Sequence, residues 1–166
     1  MIMPGYVQKM AVYSRWMNNS IYDACAQLSD EDRKKDCGAF FGSIHATLNH
    51  LLWGDQIWMH RLTGLKKPSA PTIPESITQY DDFDELTRER IAMDDAISAW
   101  AGNIDETWLG QEMHWKPASV NREMTTPKWI LVTHMFNHQT HHRGQVHCML
   151  TQFGVKTPTT DLALMP

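Results

Sequence analysis

The chain has 166 residues, of which 42% are hydrophobic and 20% charged, and its formal net charge is −4. This composition is typical of a soluble globular protein, and the length predicts one domain over residues 1–166. A negative net charge does not favour binding to nucleic acid or to an anionic membrane. No apolar run reaches the roughly 18 residues of a membrane span, so neither partner is expected.

The cysteines predict a reducing compartment. Cys25, Cys37 and Cys148 are few, odd in number and far apart, and no CxxC pair is present. That pattern argues against a disulfide framework and against a thiolate zinc site. The N-terminal segment MIMPGYVQKM also lacks the apolar core of a signal peptide. We therefore expect a cytoplasmic protein.

Two helices are predicted in the first part of the chain, over 5–28 and about 40–63. In the first, apolar residues recur at three- and four-residue steps, as on a helix face that packs on a core. The second ends near Gly64 with Arg61 in its last turn. His50 lies midway along it, flanked by Gly54 and other small residues, which leave space beside the ring.

Residues 66–79 carry three prolines and predict a long irregular connection. Asp81 or Asp82 would cap a third helix over about 82–106. The inward positions predicted for this helix are Phe83, Leu86, Ile91, Ala92, Ile97 and Trp100. The charged positions predicted to form its solvated face are Glu85, Arg88, Glu89 and Arg90. Beyond it, EMHWK and NREMT within 108–125 predict two short strands of a hairpin.

The last helix is predicted to begin with Thr126 as N-cap and Pro127 as its first residue, and to run to about Phe153. Its inward stripe is predicted as Leu131, His134, Met135, His138, His142, Gln145 and Met149. The closing segment 157–166 is expected to pack on the helices. Four helices of this length predict an all-α four-helix bundle, a fold that builds metal sites between facing helices.

Histidine spacing gives the strongest functional signal. His134, His138 and His142 stand at i, i+4 and i+8 and share one helix face. Imidazoles from two successive turns can bind one metal ion, and a third ligand should then come from another segment. His50 is the candidate. The competing interpretation is that these histidines are ordinary core residues without a metal.

Two segments, NHLLWGDQIW and HMFNHQTHHRGQ, resemble the DinB/YfiT-like family of small bacterial proteins, whose most specific motif here is NHxxxHRGQ. The segments YSRWMNNSIYDA and QFGVKTPTTDL extend the resemblance over nearly the whole chain. It implies a four-helix bundle, typically a homodimer, in which three histidines bind one divalent metal. Carried over residue by residue, those ligands are His50, His138 and His142. Zinc, nickel and iron all remain open as the metal.

The resemblance also implies a function, because the wider superfamily includes transferases that use low-molecular-weight thiols. The expected reaction is attack of a metal-bound thiolate from a small thiol cosubstrate, or of metal-bound hydroxide, on an electrophile. The protein would then be a thiol S-transferase or a hydrolase. The alternative is a non-catalytic, metal-stabilised binding protein of the same fold. That alternative predicts a fourth protein ligand, such as His134, or a sealed site.

The other residues near the histidine motif are expected to have mainly structural roles. His134 is expected in the core or beside the site, with a fourth ligand as the alternative. His141 is expected to make a polar contact or to lie at an interface, and Cys148 to be a core thiol.

Two polar residues follow His142 closely in the sequence. A buried Arg143 would require a carboxylate partner, for which Asp55 and Asp161 are candidates. Gln145 is expected to face the pocket or to bond a neighbouring helix.

Overall fold

The computed structural model describes residues 1–117, 122–157 and 159–166. Its four long helices are α1 Pro4–Cys25, α3 Ile44–Thr63, α5 Phe83–Ala101 and α7 Lys128–Gln152. Three short helices lie between them: α2 Asp30–Lys34, α4 Ile73–Ser76 and α6 Glu106–Gly110. The strands are β1 Glu112–Trp115 and β2 Met124–Pro127, and a 3₁₀ turn spans Leu162–Leu164. No helix among the described residues is long and apolar enough to cross a membrane.

The long helices surround one interior. α1 packs against α5 and α7, and α3 packs against the same two helices. The order around the bundle is therefore α1, α5, α3, α7, with α3 diagonally opposite α1. The predicted all-α four-helix bundle is confirmed, and so is the hairpin that precedes its last helix.

The interior has two apolar clusters with a polar layer between them. One cluster gathers the N-terminal halves of α3 and α5 with the C-terminal end of α7. The other gathers the opposite ends of the same helices with the start of α1. The polar side chains buried between the two clusters are Asn18, Asp55, Arg90, Asp94, Gln139 and Arg143. The layer lies at mid-height, where α3 and α7 also carry the motif histidines.

Helix starts follow their capping residues. The Asp82 side chain accepts a hydrogen bond from the backbone N–H of Glu85, which confirms Asp82 as the cap of α5. Ser43 caps α3 in the same way, so this helix starts later than residue 40. The reason is a tight bridge between Ala39 and Gly42, in which Gly42 has a φ of +77° that favours glycine.

Other predicted boundaries were also wrong, and α1 ends at Cys25 instead of residue 28. α5 ends at Ala101 instead of continuing to 106, and Asp105 begins the separate helix α6 as its N-cap. Thr126 does not cap α7, because Thr126 and Pro127 belong to β2, where Pro127 pairs with Glu112. α7 therefore begins at Lys128.

The hairpin pairs Glu112–Trp115 with Met124–Pro127 in antiparallel register. The second strand thus starts at Met124 instead of residue 121. Residues 118–121, which include the predicted turn and the first predicted residue of that strand, lie outside the described residues. The Trp115 indole donates a hydrogen bond to the Thr126 hydroxyl at 3.0 Å and fixes its own ring against the bundle.

Helix α5 buries three of its predicted core residues, Phe83, Leu86 and Ile97, but the prediction was wrong for the middle of the helix. Arg90 is only 2% exposed, whereas the predicted core residue Ile91 is 51% exposed and Ala92 is also exposed. The buried stripe of α5 is Phe83, Leu86, Arg90, Asp94, Ile97 and Ala101. A charged pair one turn apart therefore occupies the centre of an apolar stripe.

The C-terminal segment contacts the bundle as expected. The Tyr13 hydroxyl donates to the carbonyl oxygen of Thr160 at 2.7 Å, and Thr157 hydrogen-bonds to the ring of His147 at 2.6 Å. Met165 packs against the first apolar cluster.

Candidate metal centre

The structure brings three histidines together between two facing helices. α3 contributes His50, and α7 contributes His138 and His142 from successive turns. One possible ligand atom from each lies within 4.8 Å of the others, and the described residues contain no other such group of histidine, cysteine or acidic side chains. The Nε2 atoms of His50 and His138 are 3.3 Å apart.

That separation suits a shared metal ion. Metal–nitrogen distances of 2.0–2.1 Å in a tetrahedral site place neighbouring ligand nitrogens about 3.3–3.4 Å apart. The distance between the Nε2 atoms of His50 and His138 falls at this value. Three imidazoles occupy three of four tetrahedral positions, and the fourth is then left for a water molecule or a substrate.

His50 is oriented by a residue of the proline-rich connection. Its Nδ1 lies 2.9 Å from the hydroxyl oxygen of Ser76, and that hydroxyl donates its own hydrogen to the carbonyl oxygen of Ile73 at 2.6 Å. The serine oxygen must therefore accept, so His50 carries its proton on Nδ1. Nε2 is left with a lone pair that faces the other two histidines.

His142 is oriented in the same manner by Gln145. The Nδ1 atom of His142 lies 2.8 Å from the amide oxygen of Gln145, which can only accept a hydrogen bond. The proton of His142 is therefore on Nδ1, and its Nε2 is free to bind a metal. Gln145 was expected to face the pocket or bond another helix, but it holds a neighbouring ring on its own helix.

His138 lies in a space that a glycine leaves open. A Cβ atom at Gly54 would be 2.7 Å from Cε1 and 3.1 Å from Nδ1 of His138. The small residue predicted to leave room beside His50 thus makes room for the second histidine. The Nδ1 atom of His138 is buried without a hydrogen-bond partner among the described residues.

Gly54→Ala is therefore expected to displace the His138 ring and to weaken Zn²⁺ binding by roughly tenfold or more, the range seen when a ligand loses its support. Competition with a chromophoric chelator measures the affinity. Gly144→Ala on α7 is the matched control, because no atom lies within 4 Å of its added Cβ. Wild-type affinity in Gly54→Ala would show that the space beside Gly54 is not needed to position the His138 ring.

Burial keeps these rings neutral. Burial first and then the neighbouring histidines lower the pKa of His50 to about 4 and that of His138 to about 3. Burial also lowers the pKa of His142, partly offset by its hydrogen bond to Gln145. Neutral imidazole is the form that binds a metal, so at neutral pH these rings need lose no proton to become ligands.

The two sides of the histidine cluster differ. The Phe41 ring packs against His50 and His142, with centroid distances of 4.1 and 5.4 Å, and covers one side. On the other side lies an open cavity of about 300 Å³. Its lining is His50, Trp53, Gly54, Ile57, Trp58, Arg61, Ile73, Trp115, Pro117, His134 and His138. None of these described lining residues is a cysteine or a carboxylate.

The remaining motif histidines stand outside the cluster. His134 is exposed, its ring centroid is 6.0 Å from that of His138, and it packs edge-on against Trp58. It lines the cavity but is not part of the three-histidine group. His141 is exposed as well, with its ring 4.9 Å from that of His142.

The other four histidines each have a hydrogen-bond partner elsewhere, as expected for residues without a role at the site. The partners are the Tyr80 carbonyl for His45, the Leu65 carbonyl for His60, Thr125 for His114 and Thr157 for His147.

The prediction that Cys148 is a core thiol was wrong. Cys148 is exposed, whereas Cys25 is fully buried. The inward positions around it on α7 belong to Val146, Met149 and Leu150. Because Val146, Met149 and Leu150 face the core, Cys148 lies on the opposite side of the helix and its side chain points to solvent.

A buried ion network lies beside the histidines. Arg90 of α5 forms ion pairs with Asp55 of α3 at 2.5 Å and with Asp94 of its own helix at 2.8 Å. The two carboxylates together outweigh the burial of Arg90 and raise its pKa, so this guanidinium stays charged. Asn18 of α1 donates to Asp94 at 2.9 Å. The network therefore ties three long helices together.

Gln139 extends the network to α7. Its amide nitrogen donates to Asp55 at 2.9 Å, and its amide oxygen accepts from Arg143 at 3.1 Å. Arg143 forms no ion pair with Asp55 or Asp161, so the predicted carboxylate partner was wrong. Burial lowers the pKa of Arg143 to about 10, and the charges of Asp55 and Asp94 in the same layer oppose this shift. The guanidinium donates hydrogen bonds to the neutral side chains of Gln139 and Asn18.

Comparison with known proteins agrees with the geometry. The model of the DinB family matches residues 1–166. The chain belongs to the DinB family. It is 25% identical over 166 residues to the protein named Protein DinB from Bacillus subtilis (strain 168), covering 98% of this chain and 94% of that one. The resemblance inferred from the histidine motifs is thereby confirmed.

A solved structure supports the family's fold for this member. The crystal structure of a DinB-like protein from Bacillus cereus ATCC 10987 superposes with a TM-score of 0.63. The alignment covers 87% of this chain and 91% of that chain at 18% sequence identity. At this identity the similarity establishes the fold alone.

Proposed function

We propose that residues 1–166 form one domain that binds a single divalent transition metal, zinc, nickel or iron, through His50, His138 and His142. The observation that supports this best is the 3.3 Å approach of two Nε2 atoms beside an open cavity. The hydrogen bonds from His50 to Ser76 and from His142 to Gln145 leave the Nε2 lone pair of each ring free to bind a metal. The set of three imidazoles does not select among these metals.

The function that this site supports best is transfer of a small thiol to an electrophile, or else hydrolysis. A bound divalent cation lowers the pKa of a thiol or water molecule that coordinates it, which supplies a nucleophile near neutral pH. In the transfer, a sulfur–carbon bond forms, the bond to the leaving group breaks, and the thiol proton passes to solvent. The described cavity lining offers no carboxylate or thiol of its own, so activation falls to the metal.

The chain's own residues position and shield the reactants. Phe41 covers one side of the histidines, so reactants approach from the cavity side. Trp53 is anchored by an indole N–H hydrogen bond to the Ala70 carbonyl at 2.8 Å and forms a fixed part of that cavity's wall. Gln139, which follows His138, bonds to Asp55 and takes no part in the chemistry.

The non-catalytic alternative receives less support. It requires a fourth protein ligand or a sealed site. In the described ranges no fourth histidine, cysteine or acidic residue joins the group, and the cavity reaches His50 and His138. His134, the residue suggested for that role, is exposed and packs on Trp58.

Cobalt substitution tests the proposed chemistry. Co²⁺-loaded protein is expected to develop a sulfur-to-cobalt charge-transfer band with 2-mercaptoethanol. It is also expected to alkylate that thiol with an alkyl bromide at least about tenfold faster than metal-free protein, because more of the thiol is ionised at pH 7. His141→Ala is the matched control with the cluster intact. Absence of the band would contradict the transferase, and activity on a nitrophenyl ester would then decide for or against the hydrolase.

We also propose that the protein is a cytoplasmic homodimer. The family resemblance supports the dimer, and large apolar side chains such as Phe40, at 81% exposed, offer surface that a second copy could cover. The cysteines, all within the described residues, form no disulfide, which fits a reducing compartment. Sedimentation at micromolar concentration that shows monomer alone would contradict the dimer.

A further inference from the structure

One arginine lines the same cavity as the histidines. Arg61 lies in the last turn of α3, and its guanidinium rests over the rings of Trp58 and Trp115, 4.9 and 5.2 Å from their centroids. Within the described residues it forms no ion pair, whereas Arg15, Arg33 and Arg90 all do. The cavity therefore contains a positive charge without a counter-charge.

The environment of Arg61 favours an anionic ligand. A guanidinium held beside aromatic rings keeps N–H donors that match the two oxygens of a carboxylate. Partial burial lowers the pKa of Arg61, which reflects a loss of hydration that a bound anion would compensate.

The cavity lining follows one face of α3 from Gly54 to Arg61. Gly54 marks the level of His138, since the His138 ring lies against it. Trp58, on which Arg61 rests, follows four residues later, about 6 Å along the helix axis. The cavity wall includes the apolar side chains of Trp53, Ile57 and Ile73, and the His134 ring lies between His138 and Trp58. A molecule that contacts both ends must therefore span this distance beside a wall that is mainly apolar.

We propose that this cavity binds a substrate with an extended apolar or aromatic body and a terminal carboxylate, which pairs with Arg61 while the reactive group lies at the three histidines. This inference rests on the proposed function for the position of the reactive group. The carboxylate site itself depends only on Arg61, Trp58 and Trp115. Arg61 is thus a specificity-determining residue that binds the end of the substrate remote from the reaction.

Matched thiols test the inference on Zn²⁺-loaded protein. The probes are 6-mercaptohexanoate and 6-mercaptohexanol, which differ in charge at one end, and the corresponding three-carbon acid and alcohol, 3-mercaptopropanoate and 3-mercaptopropanol. Calorimetry measures the Kd of each probe. Wild type is expected to bind the six-carbon acid about tenfold more tightly than the alcohol, as a charge-assisted hydrogen bond allows. Arg61→Gln should lose this preference with the alcohol affinity unchanged, which also shows that the variant is folded. Arg61→Lys should retain part of it.

Arg88→Gln, at an exposed position on α5, is the control and should bind like wild type. Equal affinities for acid and alcohol at both chain lengths in wild type, or a preference that survives in Arg61→Gln, would overturn the carboxylate site and leave the thiol function standing. If neither thiol bound, the proposed thiol function would fail instead. Hexanoate against hexanol, followed by tryptophan fluorescence, would then decide the carboxylate site alone.

Discussion

Wild-type protein purified without an affinity tag or added metal is expected to carry about one equivalent of a transition metal, and His138→Ala to lose it. The ring centroid of His138 lies 5.3 Å from that of His50 and 4.4 Å from that of His142. Its removal leaves only two imidazoles, with centroids 4.9 Å apart, where the proposed site needs three ligands. Because losing only a supporting residue costs 10–100-fold in affinity, losing this ligand should cost more than about a hundredfold. Elemental analysis and chelator competition provide the measurement.

His134→Ala and His141→Ala serve as controls, because both residues are exposed and lie outside the three-histidine group. Each should retain wild-type metal content. Metal kept in His138→Ala, or lost in His134→Ala, would show that the ligand set is wrong. Wild type that holds no metal and takes up none when offered would leave a histidine-rich bundle without the proposed chemistry.

The spacing within one helix predicted the two histidines that helical geometry alone brings together. The interval of four residues between His138 and His142 places both rings on one helix face whatever surrounds them. His50 required one further step, a second helix that faces the first, and the four-helix architecture supplied it. The structure confirms that these three residues meet. Their role as ligands remains for metal analysis to test.

The residues that orient the histidines were not predictable in the same way. Ser76 reaches His50 across 26 positions of sequence from within a proline-rich connection. A signal for the short helix that holds it was present, because Thr72 and Glu75 have the spacing of a capping box. The Thr72 hydroxyl accepts from the backbone N–H of Glu75 at 3.4 Å and donates to its carboxylate at 2.6 Å. Nothing in the sequence indicated that this helix lies against His50.

The wrong prediction for Arg90 shows that residue charge alone does not identify the exposed face of a helix. Glu85, Arg88, Glu89 and Arg90 read as one solvated face, since charged residues are rarely buried without a partner. The partner, Asp55, is on another helix 35 positions away. The helical spacing alone indicated that Arg90 is buried, because Leu86, Arg90 and Asp94 repeat at four-residue steps in line with the apolar residues of α5.

The buried network and the histidine cluster share their backbone. Asp55 follows Gly54, which makes room for the His138 ring, and Gln139 follows His138 itself. The hydrogen bond between Gln139 and Asp55 therefore joins α3 to α7 at the level where the histidines meet. A helix position that is fixed by one contact also fixes the direction of the next side chain. The network is thus the support on which the candidate metal centre is built.

Breaking that support should cost more stability than any surface change. Arg90→Met is expected to lower the free energy of unfolding by about 3–5 kcal/mol, because it leaves Asp55 and Asp94 buried with too little positive charge. Urea denaturation of metal-free protein measures the loss separately from metal binding. Arg88→Met, at an exposed position two residues earlier, should stay within about 0.5 kcal/mol of wild type.

A second substitution separates charge from packing. Asp94→Asn in the Arg90→Met background removes one of the two unpaired carboxylates, and the remaining Asp55 then faces only Arg143 through Gln139. The double variant should therefore be more stable than Arg90→Met alone, although Asp94→Asn by itself destabilises the wild type. Such coupling is expected of groups that share one network. Additive losses would mean that Arg90 stabilises the bundle by its volume, and the charge balance proposed for this layer would be wrong.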